Sequence, residues 1–274
     1  MIRYDTHMHT SYSTDSDTDV LEQVKRAEQL GLEGICITDH MDYDFPIEEI
    51  NSTKEGIPFC FDIASYWDCL EHEQRNTDIK LLRGVECGLQ ETMSVIEKNE
   101  QLLSCKDWDY VIGSLHLLEG KDPYYPSFWE GRTPSHGIRD YFNSILENIQ
   151  CFSDFDALGH MDYIVRYAPQ SFHYEPNEYR EIIDAILRLL IKKDIALEVN
   201  TSGWKKAGRC QNPHFDILCH YASLGGELLT IGSDAHTPEY VAYCFSDLPE
   251  LLKKAGLRQY CVYQKRKPVF YDIV

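Results

Sequence analysis

The sequence lacks any run of 18 consecutive apolar residues, which argues against a membrane-spanning helix. Its ten cysteines stand singly, with no Cys-x-x-Cys pair and no secretory leader pattern ahead of them. A secreted disulfide scaffold is therefore disfavoured, and we expect reduced thiols and a cytoplasmic location. Low-complexity tracts are also absent, and a composition of 43% hydrophobic and 26% charged residues argues against intrinsic disorder.

Basic residues are scarce. The chain has 26 Lys and Arg against 45 Asp and Glu, which gives a formal net charge of -19. Because a nucleic-acid surface needs clustered Lys and Arg, we expect no nucleic-acid partner. An acidic chain instead attracts cations, either metal ions or a substrate that carries an amine. The length of 274 residues suits one domain, since an α/β barrel takes about 250 residues.

Seven short apolar segments alternate with segments of helical periodicity. The predicted strands lie at residues 1–6, 33–38, 79–85, 109–115, 155–159, 195–200 and 228–233. The predicted helices lie between them, at residues 19–30, 63–75, 93–103, 137–149, 177–192 and 215–224. This alternation predicts an α/β fold with parallel strands and helical crossovers. Residues 41–61 look like an irregular insertion, and residues 259–263 and 269–271 like a terminal strand pair.

All the predicted strands except the one ending at Asn200 end in a histidine or a carboxylate. With one acid from the first polar loop, these residues are His7, His9, Asp15, His40, Glu86, His116, His160, Asp234 and His236. In a parallel barrel the carboxyl ends of all strands open on one face, so these side chains would meet there. An open doubly wound sheet, the alternative, would spread them along a line.

These residue types point to a metal centre. His7 and His9 stand at i and i+2 on extended chain, so their side chains point the same way. Zinc takes three or four protein ligands, so nine candidates suit two or three ions with bridging carboxylates. Imidazole and carboxylate without thiolate favour Zn, Mn or Fe over Ca or Mg.

Six motifs occur in a fixed order between residues 5 and 236. They are H-x-H at 7–9, T-D-H at 38–40, G-x-E at 84–86, S-x-H at 114–116, G-H at 159–160 and S-D-A-H at 233–236. This set resembles the PHP (polymerase and histidinol phosphatase) family. The resemblance implies a distorted (β/α)7 TIM-like barrel, with residues 1–274 forming a single PHP-type metallophosphatase domain.

The resemblance also implies which residues hold each ion. The first ion would take His7, His9, Glu86 and Asp234; the second Glu86, His116 and His160; the third Asp15, His40 and His236. Several family members carry histidine where this chain has Asp15. The implied activity is hydrolysis of a phosphate monoester, with Glu86 as a bridging ligand. The proton for the leaving alcohol would come from Asp15, through a water, or from His236.

Within the family, residues 6–10, 159–166 and 198–203 look like the members that hydrolyse histidinol phosphate. The implied partner is therefore a small phosphorylated metabolite, L-histidinol phosphate, in histidine biosynthesis. Arg166 and Arg209 are the candidate phosphate ligands, because a guanidinium fork matches phosphate oxygens. Aromatic residues between Tyr124 and Trp129 are candidates for the wall that receives the imidazole and ammonium end.

Three other functions stay open at this point. One is a PHP phosphoesterase that acts on nucleotides or oligonucleotides, although the scarcity of basic residues disfavours it. Another is an amidohydrolase-type deaminase, since those barrels also begin with H-x-H. The third is a metal-binding or regulatory protein that has lost turnover, because a fold alone does not specify activity.

Overall fold

The computed structural model describes residues 1–46, 59–206 and 208–274. Its main sheet is parallel and consists of β1 (Tyr4–Asp5), β2 (Gly34–Ile37), β3 (His40–Met41), β4 (Lys80–Gly88), β5 (Tyr110–Ser114), β6 (Ala157–Leu158), β7 (Ala196–Asn200) and β8 (Leu229–Gly232). The short β3 continues the direction of β2 after a break at residues 38–39, and both pair with β4. The sheet therefore has seven strand positions, in the order β1-β2-β4-β5-β6-β7-β8, with β3 as an extension of the second position.

The two ends of this sheet almost meet. The Thr6 amide donates to the Ile231 carbonyl at 3.0 Å, and the Asp234 amide donates to the His7 carbonyl at 2.8 Å. A parallel bridge between Met8 and Ala235 extends the contact. The structure is thus a nearly closed seven-stranded parallel barrel, which confirms the predicted (β/α)7 fold; the open doubly wound sheet is wrong.

Eight α-helices in the described residues cover or connect the strands. They are α1 (Val20–Leu30), α2 (Ile63–Gln74), α3 (Met93–Ser104), α4 (Pro126–Trp129), α5 (Pro134–Cys151), α6 (Arg180–Lys192), α7 (Phe215–Ser223) and α8 (Leu248–Ala255). Local signals fix their ends: a capping box of Asp19 and Glu22 starts α1, and Gly31 ends it at a φ of 72°. The Asp62 side chain accepts the Ser65 amide at the start of α2.

Three boundaries differ from prediction. Helix α5 begins at residue 134, before the predicted 137, because the Thr133 side chain caps it and Pro134 suits the first turn. A 3-10 turn at Pro176–Tyr179 precedes α6. The short α4 lies between the strand predicted at residues 109–115 and the helix predicted at 137–149, where no helix was predicted. Of the insertion predicted at residues 41–61, residues 47–58 lie outside the described part of the chain.

The terminal strand pair closes the amino end of the barrel. Strands β9 (Gln259–Gln264) and β10 (Lys267–Asp272) form an antiparallel hairpin, as predicted. The Lys265 amide donates to Asp109 at 3.1 Å, and the Arg266 guanidinium lies 2.6 Å from Asp156. Both aspartates precede barrel strands, so the hairpin lies opposite the carboxyl ends of the strands. In the described residues, no helix combines the length and apolar character that crossing a membrane requires.

Candidate metal centre

The barrel brings four of the predicted ligands together at the end of β1. The Nε2 atoms of His7 and His9 lie 3.1 Å apart, as expected for side chains on the same face of an extended segment. Glu86 Oε2 lies 3.3 Å from His7 Nε2 and 3.5 Å from His9 Nε2. Asp234 Oδ1 lies 3.4 Å from His9 Nε2. These four side chains form a compact nitrogen and oxygen donor group.

A second donor group uses the other oxygen of Glu86. Glu86 Oε1 lies 3.3 Å from His116 Nε2 and 3.0 Å from His160 Nε2. It also accepts the Ser114 hydroxyl at 2.6 Å, which fixes the carboxylate plane. Each Glu86 oxygen faces a different donor group, so this side chain would be shared if both groups held an ion.

The third group is more open to solvent. Asp15 Oδ2 lies 3.1 Å from His236 Nε2 and 3.8 Å from His40 Nε2, and the Asp15 side chain is 43% exposed. The His9 ring stacks against the rings of His40 and His236, with 4.2 Å between centroids in each pair. The three groups therefore adjoin, and all nine predicted ligands meet at the carboxyl mouth of the barrel.

The donor atoms fit a cation. Several buried polar atoms here accept or donate no hydrogen bond among the described residues: Glu86 Oε2, Asp42 Oδ2, His40 Nδ1 and His160 Nδ1. Leaving buried carboxylate oxygens without hydrogen bonds is costly, and a bound metal ion would satisfy them. Groups of three His, Asp or Glu with ligand atoms within 4.8 Å of one another recur through the cluster. The nitrogen and oxygen donors match the preferences of Zn, Mn and Fe.

Two donors of the cluster, Glu86 and His9, have pKa values shifted toward the form that ligates metals. Burial by itself would raise the pKa of Glu86, but the imidazoles of His7, His116 and His40 hold it well below its usual range. Burial, with the charges of His40 and His236, holds the pKa of His9 well below its usual range. An ionised carboxylate and a neutral imidazole are the forms that ligate metals.

A cavity of about 680 Å³ opens over the three groups. Its cationic lining comes from Arg166, Lys205 and Lys206. Its aromatic lining comes from Phe45, Phe59, Tyr124, Tyr125, Tyr163 and Tyr167. The Lys205 ammonium donates to the Asp234 carbonyl at 3.0 Å, and the Lys206 ammonium lies 3.6 Å from the centre of the Tyr167 ring. The cavity thus combines positive charge near the donor groups with an aromatic wall.

Comparison with known proteins agrees with this geometry. The family model described as the PHP domain matches residues 5–202. The chain belongs to the PHP domain family. The family predicted from the six motifs is therefore confirmed.

Two relatives match this PHP protein over nearly its full length. It is 33% identical over 272 residues to a protein of Clostridium acetobutylicum named probable histidinol-phosphatase, with 98% of this chain and 96% of the relative covered. It is 29% identical over 273 residues to the histidinol-phosphatase of Lactococcus lactis, with 97% and 96% covered.

A solved structure has the same fold. The crystal structure of the Lactococcus lactis histidinol phosphate phosphatase, in complex with zinc, L-histidinol and phosphate, superposes with a TM-score of 0.86 at 28% identity. The match covers 97% of this chain and 98% of that one.

The two predicted phosphate ligands of this PHP domain lie in different places. Arg166 lines the cavity, and its guanidinium donates to Asp234 at 3.0 Å, to Asn200 at 2.8 Å and to Asn212 at 2.6 Å. Arg209 is not among the residues that line the cavity, and its guanidinium donates to the Ala168 carbonyl. Arg166 therefore contacts Asp234 directly, whereas Arg209 contacts a backbone carbonyl away from the donor groups.

Sequence reasoning missed the residues that orient the imidazoles. Glu198 Oε1 lies 2.6 Å from His7 Nδ1, Asp42 Oδ1 lies 2.8 Å from His116 Nδ1, and the Ser13 hydroxyl lies 3.0 Å from His9 Nδ1. Such partners fix the ring orientation and leave the other nitrogen free for a metal. The sequence does contain a signal for Glu198, because an acidic residue inside an apolar strand is unusual. The sequence contains a signal for Asp42 as well, since it stands two residues after His40, and side chains at i and i+2 on extended chain point the same way.

Proposed function

We propose that the chain hydrolyses phosphate monoesters and that its substrate is L-histidinol phosphate, in histidine biosynthesis. The main support for this proposal is that two donor groups share Glu86 and lie beneath a cavity lined by Arg166, Lys205 and Lys206. The names of its full-length relatives support the substrate. The neighbouring structure, which contains zinc, L-histidinol and phosphate, supports it as well.

We propose further that two or three Zn, Mn or Fe ions bind the three donor groups. The first would be held by His7, His9, Glu86 and Asp234, the second by Glu86, His116 and His160, and the third by Asp15, His40 and His236. Such ions supply positive charge for phosphoryl oxygens and bring the pKa of water into the neutral range. The chain contributes a preformed geometry, in which Glu198 and Asp42 hold the His7 and His116 imidazoles in place.

Substrate phosphate would also meet positive charge from the protein. Arg166 and Lys205 both contact Asp234, so they lie at the edge of the first donor group. Burial, with the charges of Arg166 and Arg209, lowers the pKa of Lys206 to about 8. Arg209 thus lies close enough to influence the cavity electrostatically, which is the role we propose for it.

Asp15 and His236 are the proposed sources of the proton for the leaving alcohol. Their facing atoms are 3.1 Å apart, and both residues line the cavity. An ion in the third group would use the same lone pairs, so acid catalysis by this pair and occupancy of that group compete. Asp15 and His236 can therefore supply the proton only when the third group holds no ion.

The proposal is tested with the purified chain. Bound metals are measured by mass spectrometry, and phosphate release is followed from histidinol phosphate, simple alkyl phosphates, nucleoside monophosphates and a phosphodiester. We expect two to three ions per chain, activity that chelators abolish, and the highest kcat/KM for histidinol phosphate. Metal-free active protein, or a preference for nucleotides or phosphodiesters, would contradict the proposal and favour a PHP phosphoesterase of other specificity.

A further inference from the structure

Asp122 is a buried carboxylate in the wall of the cavity. It lies between β5 and α4, lines the cavity and is 7% exposed. Its Oδ1 atom accepts the Tyr124 amide at 2.8 Å and the Tyr163 hydroxyl at 3.1 Å. Among the described residues, Oδ2 accepts no hydrogen bond, and no Lys, Arg or His forms an ion pair with this side chain. The second oxygen therefore lacks a protein partner among the described residues, on a side chain that lines the cavity.

This isolation distinguishes Asp122 from other carboxylates of the same wall. Asp15 faces His236 at 3.1 Å, Asp42 faces His116 at 2.8 Å, and Asp234 faces Arg166 at 3.0 Å. Burial raises the pKa of Asp122 to about 6, although the Tyr124 amide and the charge of His116 act to lower it, so the group is still mainly ionised at neutral pH. A buried anion is normally paired, because transfer of an unpaired charge out of water is expensive. The missing partner points to a cation carried by the ligand.

A single side chain, that of Tyr163, lies between Asp122 and the donor groups. Tyr163 donates its hydroxyl to Asp122, and its ring centroid lies 5.0 Å from that of His160 and 5.6 Å from that of His116. A molecule with its phosphate on the donor groups would therefore reach Asp122 with a group near the ester oxygen. In histidinol phosphate that group is the ammonium, on the carbon next to the ester-bearing carbon; the imidazole lies further out.

We propose that Asp122 Oδ2 binds the ammonium group of the substrate and so selects aminoalkyl phosphates over plain alkyl phosphates. This inference rests on the proposed phosphatase function of the same cavity. It makes Asp122 a specificity residue, since recognition of the amine requires no contact with the phosphate. The aromatic wall remains available for the imidazole.

The test crosses Asp122→Asn with three esters. They are L-histidinol phosphate, 3-(imidazol-4-yl)propyl phosphate, which lacks the amine, and 2-aminopropyl phosphate, which lacks the ring. Asparagine keeps the Oδ1 acceptor for Tyr124 and Tyr163 but presents an amide donor where Oδ2 stood. We expect kcat/KM to fall about 10- to 100-fold for the two amines, the scale of a lost charged hydrogen bond. For the amine-free ester we expect a change of less than about 2-fold.

Two further variants serve as controls. Asp122→Glu keeps the charge and should recover part of the activity on both amines. Asp17→Asn makes the same chemical change at an exposed acid of the cavity rim and should affect all three esters alike. Turnover of the amine-free ester by Asp122→Asn shows that this variant is folded. If Asp122→Asn does not fold, Asp122→Glu takes its place in the test. Compared with the wild type, Asp122→Glu must then lower kcat/KM more for the two amines than for the amine-free ester.

The outcomes separate this inference from the proposed function. Equal losses on all three esters, or undiminished turnover of histidinol phosphate by Asp122→Asn, would overturn the ammonium assignment. A loss that follows the imidazole and not the amine would overturn it too. If the wild-type chain releases phosphate from none of the esters, the proposed function itself is wrong.

Discussion

Replacement of Glu198 by glutamine should weaken metal binding without removing any ligand. Glu198 is fully buried on β7, and its Oε1 lies 2.6 Å from His7 Nδ1. Its Oε2 accepts the His160 amide at 2.8 Å and the Asn200 side-chain amide at 3.2 Å. Two donors thus hold one end of the side chain, so the oxygen of a glutamine would stay there and its NH₂ would face His7.

That NH₂ inverts the hydrogen bond to His7. In the wild type, Nδ1–H donates to Glu198 and leaves the Nε2 lone pair free for the ion. Beside a glutamine NH₂, His7 avoids a clash between donors only by accepting at Nδ1, which protonates Nε2. Loss of such an outer partner typically costs 10- to 100-fold in metal affinity. At about 1.4 kcal/mol per tenfold, this is about 1.4 to 2.8 kcal/mol.

Titration of the metal-free protein with zinc against a competing chelator measures the effect. We expect weaker binding at the group that contains His7 and His9, while the group of Asp15, His40 and His236 keeps its affinity. Glu130→Gln, an exposed position with the same chemical change, is the matched control. Thermal melting without metal separates weaker binding from a general loss of stability. An unchanged zinc affinity in Glu198→Gln would refute the tautomer argument.

Three further predictions concern the cavity. Arg166→Lys removes the guanidinium fork that contacts Asp234 and two asparagines. Because an ammonium cannot replace this fork, the inhibition constant for phosphate should rise about 10-fold or more. An unchanged inhibition constant would contradict a role of Arg166 in phosphate binding. Because the pKa of Lys206 is lowered to about 8, its charge is present below that pH and lost above it. KM should therefore rise above about pH 8 in the wild type, and Lys206→Met should abolish this rise. Asp15→Asn should lower the metal content by one ion per chain, measured by mass spectrometry, and a full complement would exclude Asp15 as a ligand.

The fold was predictable because its signals are local. Periodicity and caps, such as Asp19 before α1 and Gly31 after it, act within a few residues of the structure they determine. The break between β2 and β3 was not predictable. There Asp39 turns inward and accepts the Thr10 amide and the Ser13 hydroxyl, both at 2.6 Å. That contact anchors the loop that carries Asp15, but it joins segments 26 to 29 residues apart.

The donor cluster was predictable for a different reason. All the ligands except Asp15 lie at or near the carboxyl end of a strand, and a parallel barrel brings all strand ends to one mouth, so topology alone gathers residues as distant as His7 and Asp234. The orienting partners obey no such rule. Glu198 and His7 are 191 residues apart, and Glu198 lies in the one predicted strand that does not end in a histidine or a carboxylate. Only the register of β7 against its neighbours brings the carboxylate to the imidazole.

Net charge describes this molecule poorly at the scale of its cavity. A chain of charge -19 would repel a phosphate ester if its acids were spread evenly. Instead, most carboxylates at the barrel mouth face an imidazole or an arginine, and Arg166, Lys205 and Lys206 line the opening. Asp122 is left as the unpaired buried anion of that wall among the described residues. Because a phosphate and an ammonium need opposite charges a few bonds apart, this local asymmetry, rather than the overall acidity, favours a substrate that carries both.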